Sequence, residues 1–228
     1  MTIKYHRSVV QGSDEWHALR CGLITASEVK LLLTPTLKPA KNDKSRAHIW
    51  ELAAQRITRY VEPSYISDDM LRGHDDEFYA RQLYAEHVAP VEEVGFVTND
   101  GFVFTLGCSP DGLVGKDGMI EAKSRRQKYQ IQTIVEHWRD GIVPDDYALQ
   151  VQTGMLVCDR AWCDLLSYSG GLPMVPMRVE RDEAICAAII EAARAAEAEI
   201  AAVMADYAAA VKLRGFIPTK RREREMYL

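Results

Sequence analysis

Residues 109–124 read SPDGLVGKDGMIEAKS, and this stretch predicts a β-hairpin that carries several ionisable side chains. Residues two apart on a strand face the same side of the sheet, so Glu121 and Lys123 are predicted to project together. Ile120 and Ala122 then point to the other side, into the core. The hairpin therefore predicts a sheet with one chemically active face and one packed face.

The position of Asp111 depends on the loop of this hairpin. If residues 116–118 form a three-residue connection with Gly118 in the left-handed conformation, Asp111 falls opposite Lys123 and shares its face. A two-residue turn would put Asp111 on the opposite face. The grouping of the three ionisable residues therefore requires the odd-numbered loop or a bend around Pro110.

Two carboxylates on one face repel each other, and a hard divalent cation is the usual means of keeping both ionised. Mg²⁺ is the natural occupant of such an oxygen-lined site. A metal pair held by Asp111 and Glu121 would activate water for phosphodiester hydrolysis, with Lys123 orienting or deprotonating that water. The alternative is a surface hairpin with a cross-strand salt bridge, because an Asp followed ten residues later by Glu-x-Lys is a short pattern with many chance matches.

The rest of the chain predicts helices that flank a small, mostly contiguous sheet, which is a mixed α/β or α+β fold. Hairpin turns are predicted between Val94 and Ser124, where short β-prone runs alternate with Asp-Gly turns. Helices are predicted over residues 13–33 with an interruption near Cys21, over Ser45–Arg59, after Gly73 with Glu77 near the start, and over Gln130–Arg139, Asp145–Val157 and Asp182–Leu213. Further strands are predicted at Trp162–Tyr168 and Val175–Val179.

The 228 residues, 47% hydrophobic and 27% charged, predict one ordinary globular domain over residues 1–228. No run approaches the roughly 18 to 20 apolar residues needed to cross a bilayer, and the N-terminus has no apolar signal segment. We therefore expect a cytoplasmic protein without membrane contact. The five cysteines include no Cys-x-x-Cys pair, which argues against a disulfide framework and a zinc ribbon.

Charge is distributed unevenly around the net value of −5. Residues 1–60 carry 10 Lys or Arg against 5 Asp or Glu, whereas residues 61–120 carry 3 against 12. A basic first quarter beside an acidic centre fits a phosphate-binding surface next to a metal site, although uneven solvated faces give similar sums.

Five segments together resemble the phage lambda exonuclease family of YqaJ-type viral recombination nucleases. They are QGSDEWHALRCGLITASE (11–28), GHDDEFYARQLY (73–84), SPDGLV (109–114), IEAKS (120–124) and YALQVQTGM (147–155). The resemblance implies a restriction-endonuclease-like core with a PD-(D/E)xK site. It also implies Mg²⁺-dependent degradation of one strand of linear double-stranded DNA from the 5′ end, a ring-shaped homotrimer, and a single-strand annealing recombinase as partner in a phage-infected or prophage-carrying bacterial host.

By that resemblance, Asp111 and Glu121 are metal ligands for two Mg²⁺ ions, which Mn²⁺ can replace, and the Ala122 carbonyl completes the coordination. Lys123 is the catalytic lysine. Glu77 matches a fourth acidic position, although by itself it reads as a solvated acid in the first turn of a helix.

Gln152 matches a glutamine beside the metals, with Gln150 the weaker candidate. Many related nucleases have a tyrosine four residues after that glutamine, whereas this chain has Leu156. This departure puts the role of Gln152 in doubt.

An anion site is predicted around residues 25–28, whose Thr-x-x-Glu pattern fits a capping box. Thr25 would cap a helix whose free N–H groups at Ala26 and Ser27 face an anion, and Arg20 would close over it with a two-pronged hydrogen bond. The resemblance assigns Arg20 and Ser27 to the terminal 5′-phosphate of DNA. The alternative for Arg20 is a surface ion pair.

Met70 and Leu71 lie where members of the family insert an apolar wedge that splits the duplex, although apolar residues before a helix are also common in cores. Two other functions remain open. An endonuclease or junction resolvase on the same core would need no terminal phosphate. A catalytically silent module that binds DNA ends would need no intact set of Asp111, Glu121 and Lys123.

Overall fold

The structure is a computed structural model, and it describes residues 2–63 and 67–221. In this part of the chain there are six α-helices: α1 (Asp14–Arg20), α2 (Asp43–Thr58), α3 (Asp68–His87), α4 (Gln127–Glu136), α5 (Asp145–Cys158) and α6 (Glu183–Leu213). The strands are β1 (Ile3–His6), β2 (Ile24–Thr25), β3 (Phe96–Asn99), β4 (Leu106–Cys108), β5 (Gly112–Val114), β6 (Gly118–Ser124), β7 (Trp162–Tyr168) and β8 (Val175–Glu180). The single domain predicted for residues 1–228 includes residues 1, 64–66 and 222–228, which lie outside the described part.

The strands form two four-stranded sheets, in the orders β1-β3-β4-β2 and β5-β6-β7-β8. Each sheet is mixed, because β2 pairs parallel with β4 and β6 pairs parallel with β7, while the other pairs are antiparallel. The mixed α/β fold predicted from the sequence is therefore confirmed, but with two sheets instead of one. The chain passes from the first sheet to the second at residues 109–111, between β4 and β5.

The core has two parts that lie on opposite faces of the second sheet. One contains Met119 and Leu165 from the strands together with Met155 of α5 and Ile189 of α6. The smaller part joins Ile120, Ala122 and Leu166 to Ala80 and Tyr84 of α3. The predicted inward orientation of Ile120 and Ala122 is confirmed, and it leaves the alternate residues of β6 on the face toward α5.

Two predicted helices differ from the observed ones. The second half of the predicted helix over residues 13–33 is the short strand β2 followed by a turn of 3₁₀ helix at Val29–Leu31. Ile24 is β-branched and pairs with Leu106, so tertiary pairing overrides the local preference there. Helix α3 begins at Asp68, well before Gly73, because Ser67 accepts a hydrogen bond from the Met70 N–H and caps it.

The hairpin between β5 and β6 has a different loop from the predicted one. Residues 115–117 connect the strands, Gly115 adopts the positive φ of 55°, and Val114 pairs with Gly118. This register, continued by one residue, puts Asp111 opposite Glu121 instead of Lys123. A shift by two residues preserves the face, so the predicted grouping of the three side chains survives the error.

Within the described residues, no helix is both long enough and apolar enough to cross a membrane. The helices instead dock through specific polar contacts as well as apolar packing. Arg56 of α2, for example, forms two hydrogen bonds of 2.6 Å each with Glu197 of α6.

Helix α3 is attached to the second sheet by a buried hydrogen bond. The Tyr84 hydroxyl donates to Asp164 Oδ2 at 2.6 Å, and Arg178 donates to both oxygens of the same carboxylate. Tyr84→Phe leaves a buried carboxylate oxygen without this donor. We expect the free energy of unfolding to fall by about 1–3 kcal/mol, measured by urea denaturation.

The matched control is Tyr79→Phe, on the same helix but exposed to solvent. Its effect should be within error of zero, because water replaces any contact of the hydroxyl. Equal effects of the two substitutions would show that the Tyr84 hydrogen bond does not hold the helix.

Candidate active site

A cavity of about 580 Å³ lies among residues of α1, α3, β4, β6 and α5. It brings together eight residues predicted from the sequence: Arg20, Ser27, Met70, Leu71, Glu77, Asp111, Glu121 and Lys123. Thr25 and Gln152, which were predicted with them, do not line it. Residues that are far apart in the sequence therefore share one solvent-filled space, as an active site requires.

Asp111 lies in the turn between the two sheets, only 7% exposed. Its Oδ2 accepts a hydrogen bond of 2.6 Å from the Ala122 N–H. Burial and then the charges of Glu121 and Glu77 raise the pKa of Asp111 well above its usual range, although Lys123 and this N–H act in the opposite direction. Asp111 is thus a buried carboxylate that lies close enough to Glu121 and Glu77 for their charges to act on it.

Glu121 is 5% exposed and is held on the face of β6 toward α5. Its Oε1 accepts hydrogen bonds of 2.6 Å from Lys123 Nζ and of 2.6 Å from Gln150 Nε2. Gln150 Oε1 in turn accepts from Lys123 Nζ at 3.1 Å. Burial alone would lower the pKa of Lys123, but the carboxylates of Glu121 and Asp111 raise it, so the ammonium form is favoured.

Glu77 reaches the cavity from the middle of α3, which packs on the other face of the sheet. The prediction that it lies near the start of its helix is wrong, because the helix begins nine residues earlier at Asp68. Burial and the charge of Glu121 raise the pKa of Glu77, and Lys123 and His74 lower it. Glu77 therefore lies near the other two acids, and all three line the same cavity.

The donor set fits a hard divalent cation. Asp111, Glu121 and Glu77 supply carboxylate oxygens whose mutual repulsion a cation would relieve. Across residues 2–63 and 67–221, no group of three or more His, Cys, Asp or Glu side chains converges closely enough to hold an ion by itself. The backbone carbonyl of Ala122, which was predicted as a ligand with these acids, is an oxygen donor of the kind that such a cation would also accept.

The direction of the Ala122 carbonyl follows from strand geometry. In an extended strand the N–H and C=O of one residue point to the same side. The Ala122 N–H points to the Asp111 carboxylate, beyond the start of β5, where no strand continues the ladder. The carbonyl of Ala122 thus points to the same acidic edge.

Arg20, at the end of α1, lines the same cavity. Its guanidinium lies 4.3 Å from the centre of the Trp16 ring and donates a hydrogen bond of 3.3 Å to Thr25 Oγ1. Burial lowers its pKa, with Glu28 and Cys108 acting against that shift. Among the described residues, no carboxylate lies within ion-pair distance of Arg20, which favours an anion-binding role over a surface ion pair.

The predicted capping box at Thr25 is not formed. The Thr25 hydroxyl donates to Glu28 Oε2 at 2.8 Å, and the Ala26 N–H donates to the Gly107 carbonyl, so neither group is free for an anion. Thr25 therefore positions Arg20 from behind the cavity. Ser27 is exposed and lines the cavity, as predicted.

Gln152 is not at the site. It is buried, and its side chain bonds to the Glu180 carbonyl and the Asp182 N–H. Residues two apart on a helix point about 200° away from each other, so Gln150 and Gln152 of α5 cannot face the same cavity. Gln150, the weaker candidate in the sequence, is the glutamine that contacts Glu121 and Lys123.

Met70 and Leu71 occupy the first turn of α3, inside the helix instead of before it. Their side chains are 55% and 56% exposed and border the cavity, so they are not core residues. His74, which the sequence did not single out, lies one turn later on the same face and also lines the cavity.

A direct hydrogen bond connects the two ends of the cavity. Trp16 Nε1 donates to Ser109 Oγ at 2.8 Å, two residues before Asp111. Because Trp16 also stacks on Arg20, this bond ties the candidate anion site to the turn that carries the acid.

The chain is similar to known proteins in sequence and in fold. Residues 15–161 match the model of the YqaJ-like viral recombinase domain. An alkaline exonuclease from Laribacter hongkongensis is 35% identical, with a TM-score of 0.77 over 89% of this chain and 100% of that chain, and its complex with dAMP matches equally. A phage-related exonuclease from Haemophilus somnus 129PT, 13% identical, shares the fold with a TM-score of 0.59 over 81% of this chain and 96% of that chain. Among curated proteins no match was found.

Proposed function

Because the chain belongs to the family of YqaJ-like viral recombinase domains, we propose that it is a nuclease that degrades one strand of linear double-stranded DNA from the 5′ end. The observation that carries this proposal is the cavity in which three carboxylates, a lysine and an arginine meet, the arginine having no carboxylate partner among the described residues. The acids suit a metal-assisted hydrolysis, and the arginine suits a terminal phosphate.

Two Mg²⁺ ions, replaceable by Mn²⁺, are the cofactors of this proposal. Asp111, Glu121 and the Ala122 carbonyl would hold them, with Glu77 as the further acid. When bound, such ions polarise the phosphoryl group and stabilise the leaving oxygen. The electrostatic effect of these carboxylates on one another, described above, supports this assignment.

Lys123 and Gln150 act on the same oxygen of Glu121, and they define its orientation. The Lys123 ammonium also faces the space beside Asp111, where it orients the attacking water by hydrogen bonding. Gln150 keeps Lys123 in place through its carbonyl oxygen. In this proposal Gln150 has the role that the family resemblance assigned to Gln152.

Hydrolysis breaks the bond between phosphorus and the 3′ oxygen of the terminal nucleotide. Water adds to phosphorus, and the departing 3′ oxygen takes a proton. The terminal residue leaves as a 5′-mononucleotide, and the shortened strand keeps a new 5′-phosphate for Arg20 and Ser27. The similar alkaline exonuclease forms a complex with dAMP, a mononucleotide of the kind released here.

Met70 and Leu71 serve as the wedge that separates the strands. Replacing both with alanine should slow digestion of a fully paired duplex about tenfold, because opening each base step costs a few kcal/mol. The rate on a duplex whose first pairs are mismatched at the 5′ end should stay close to wild type. The measurement is release of labelled nucleotide from matched and frayed ends, and equal slowing on both would remove the wedge role.

The family assembly and partners complete the proposal: a homotrimeric ring, a single-strand annealing recombinase that takes the 3′ strand, and the cytoplasm of a bacterial host. Sedimentation of the purified protein tests the ring. A monomer that leaves its substrate after every few cuts would contradict the ring but not the chemistry.

The experiment that tests the function compares end-labelled linear duplex with closed circular duplex in Mg²⁺. We expect digestion of the linear substrate alone, with the 5′ label released as mononucleotide. Cutting of the closed circle would indicate an endonuclease or resolvase, and binding without hydrolysis would indicate a silent module for DNA ends.

A further inference from the structure

We propose that Arg81 is a positioning residue that fixes the turn of Asp111 against helix α3 and thereby sets the affinity of the site for its metal ions. The inference rests on the proposed function, since it concerns the same cation site. It assigns to Arg81 a role that acts through the backbone of Asp111.

Arg81 lies four residues after Glu77, on the same face of α3. Its Nη1 donates a hydrogen bond of 3.1 Å to the backbone carbonyl of Asp111, and its Nη2 lies 3.3 Å from Glu93 Oε2. Successive turns of α3 therefore carry Glu77, which is one acid of the site, and Arg81, which contacts the backbone of Asp111, a second acid of the site. Arg81 joins these two acids across the boundary between helix and sheet.

Asp111 needs such a contact because it lies outside both strand ladders. It follows Pro110 in the break between β4 and β5, and β5 begins only at Gly112. Its side chain is held by the Ala122 N–H, and its backbone carbonyl is held by Arg81. Without the guanidinium, the hydrogen bond from Trp16 would still hold Ser109, but Asp111 itself would be held through the carboxylate that, in the proposed function, also binds the cation.

The shape of the guanidinium matters as much as its charge. Its planar fork contacts the Asp111 carbonyl and the Glu93 carboxylate at once, which a lysine ammonium on a flexible stem does not reproduce. A second cavity, of about 430 Å³, is lined by Arg81, Glu93, Glu77 and Asp111. Water from this cavity can replace the hydrogen bond to the carbonyl but cannot hold the turn in one position.

Helix α3 stays docked when Arg81 is replaced. Ala80 and Tyr84 are fully buried against the sheet, and Tyr84 is bonded to Asp164. Removal of Arg81 should therefore loosen the Asp111 turn without unfolding the protein. This separation makes the role testable.

The experiment measures Mn²⁺ binding to the DNA-free full-length protein by calorimetry, for wild type, Arg81→Met and Arg81→Lys. Groups that orient metal ligands typically change metal affinity ten- to a hundredfold, and we expect Arg81→Met to weaken Mn²⁺ binding by about this factor. The Mg²⁺ concentration for half-maximal hydrolysis should rise in parallel, and saturating Mg²⁺ should restore most of the rate. Arg81→Lys should recover only part of the affinity.

The matched control is Arg181→Met. The Arg181 side chain is 21% exposed against 20% for Arg81, and it pairs with Asp159 at 3.0 Å, but it lines neither cavity. The Mn²⁺ affinity of the Arg181→Met protein should equal that of the wild-type protein.

Three results would overturn the role of Arg81: wild-type affinity in Arg81→Met, an equal loss in Arg181→Met, or full recovery in Arg81→Lys, which would make charge alone sufficient. Failure of the proposed function looks different, because the wild-type protein itself would then neither bind Mn²⁺ nor hydrolyse DNA.

Discussion

Asp111→Asn is expected to reduce strand degradation by at least about a thousandfold, because coordination of the metal ions supplies several kcal/mol to the chemical step. The substitution keeps the size of the side chain and removes its charge. DNA binding, measured in Ca²⁺ by fluorescence anisotropy, should be retained. The melting temperature should not fall, since the change removes a buried carboxylate that two other acids repel.

Asp117→Asn is the matched control, since it makes the same change in the exposed loop of the same hairpin. It should digest DNA at the wild-type rate. Glu121→Gln should behave like Asp111→Asn, with the difference that Lys123 loses its charged partner. Near wild-type hydrolysis by both carboxylate variants would remove the active site from this hairpin.

If the proposed function holds, the wild-type protein prefers a 5′-phosphorylated end, and Arg20→Ala is expected to remove most of that preference. A charge-assisted hydrogen bond contributes roughly 1.5 to 3 kcal/mol, so the ratio of initial rates on 5′-phosphate and 5′-hydroxyl duplexes should fall about ten- to a hundredfold. The rate on 5′-hydroxyl ends should change little, because that substrate offers no terminal anion. The ratio is measured on otherwise identical duplexes.

Arg139→Ala serves as the control for loss of an arginine, since Arg139 is exposed and, within residues 2–63 and 67–221, its side chain bonds only to the adjacent Asp140. In Arg139→Ala, the ratio of initial rates on 5′-phosphate and 5′-hydroxyl duplexes should equal the wild-type ratio. If Arg20→Ala kept the full preference, Arg20 would be structural, held by its contacts with Trp16 and Thr25. The anion site would then have to be sought among the lysines of residues 38–46.

The grouping of acids on the hairpin could be predicted because a strand has a period of two. Any loop with an odd number of residues puts Asp111 on the face of Glu121 and Lys123. The wrong choice of loop residues therefore left the predicted grouping of these three side chains unchanged. The register itself could not be predicted, because it depends on which glycine takes the positive φ. Gly115 does so here, and the sequence offers Gly118 as an equal choice.

The faces of helices were predicted less well than those of strands. Because the helical period is 3.6 residues, an error in the start of a helix hides which residues share a face. A start after Gly73 hides the fact that Met70, His74, Glu77 and Arg81 share one face. Recognition of Ser67 as the cap would have revealed that face, and with it His74 and Arg81. In the same way, only one of Gln150 and Gln152 can reach the carboxylates, but the sequence does not show which face of α5 packs on the core.

The failure at Thr25 has a different cause. The Thr-x-x-Glu pattern satisfies the local rule for a helix start, but β4 offers Ile24 and Thr25 a partner strand that is distant in the sequence. Local capping and long-range pairing compete for the same backbone groups, and in this structure the pairing of β2 with β4 forms instead of the helix cap. Arg20 reaches the cavity in either case, because α1 ends independently at Cys21.

The break between the two sheets has a consequence for the length of the product. Arg20 belongs to the side of the first sheet and Glu121 to the second, and the chain crosses between them at residues 109–111, where Trp16 is bonded to Ser109. In the proposed reaction, the spacing between the anchored 5′-phosphate and the bond that is cut would therefore depend on how the two sheets lie against each other. The hydrogen bond between Trp16 and Ser109 links the two sides, so its loss would be expected to make the product length less uniform.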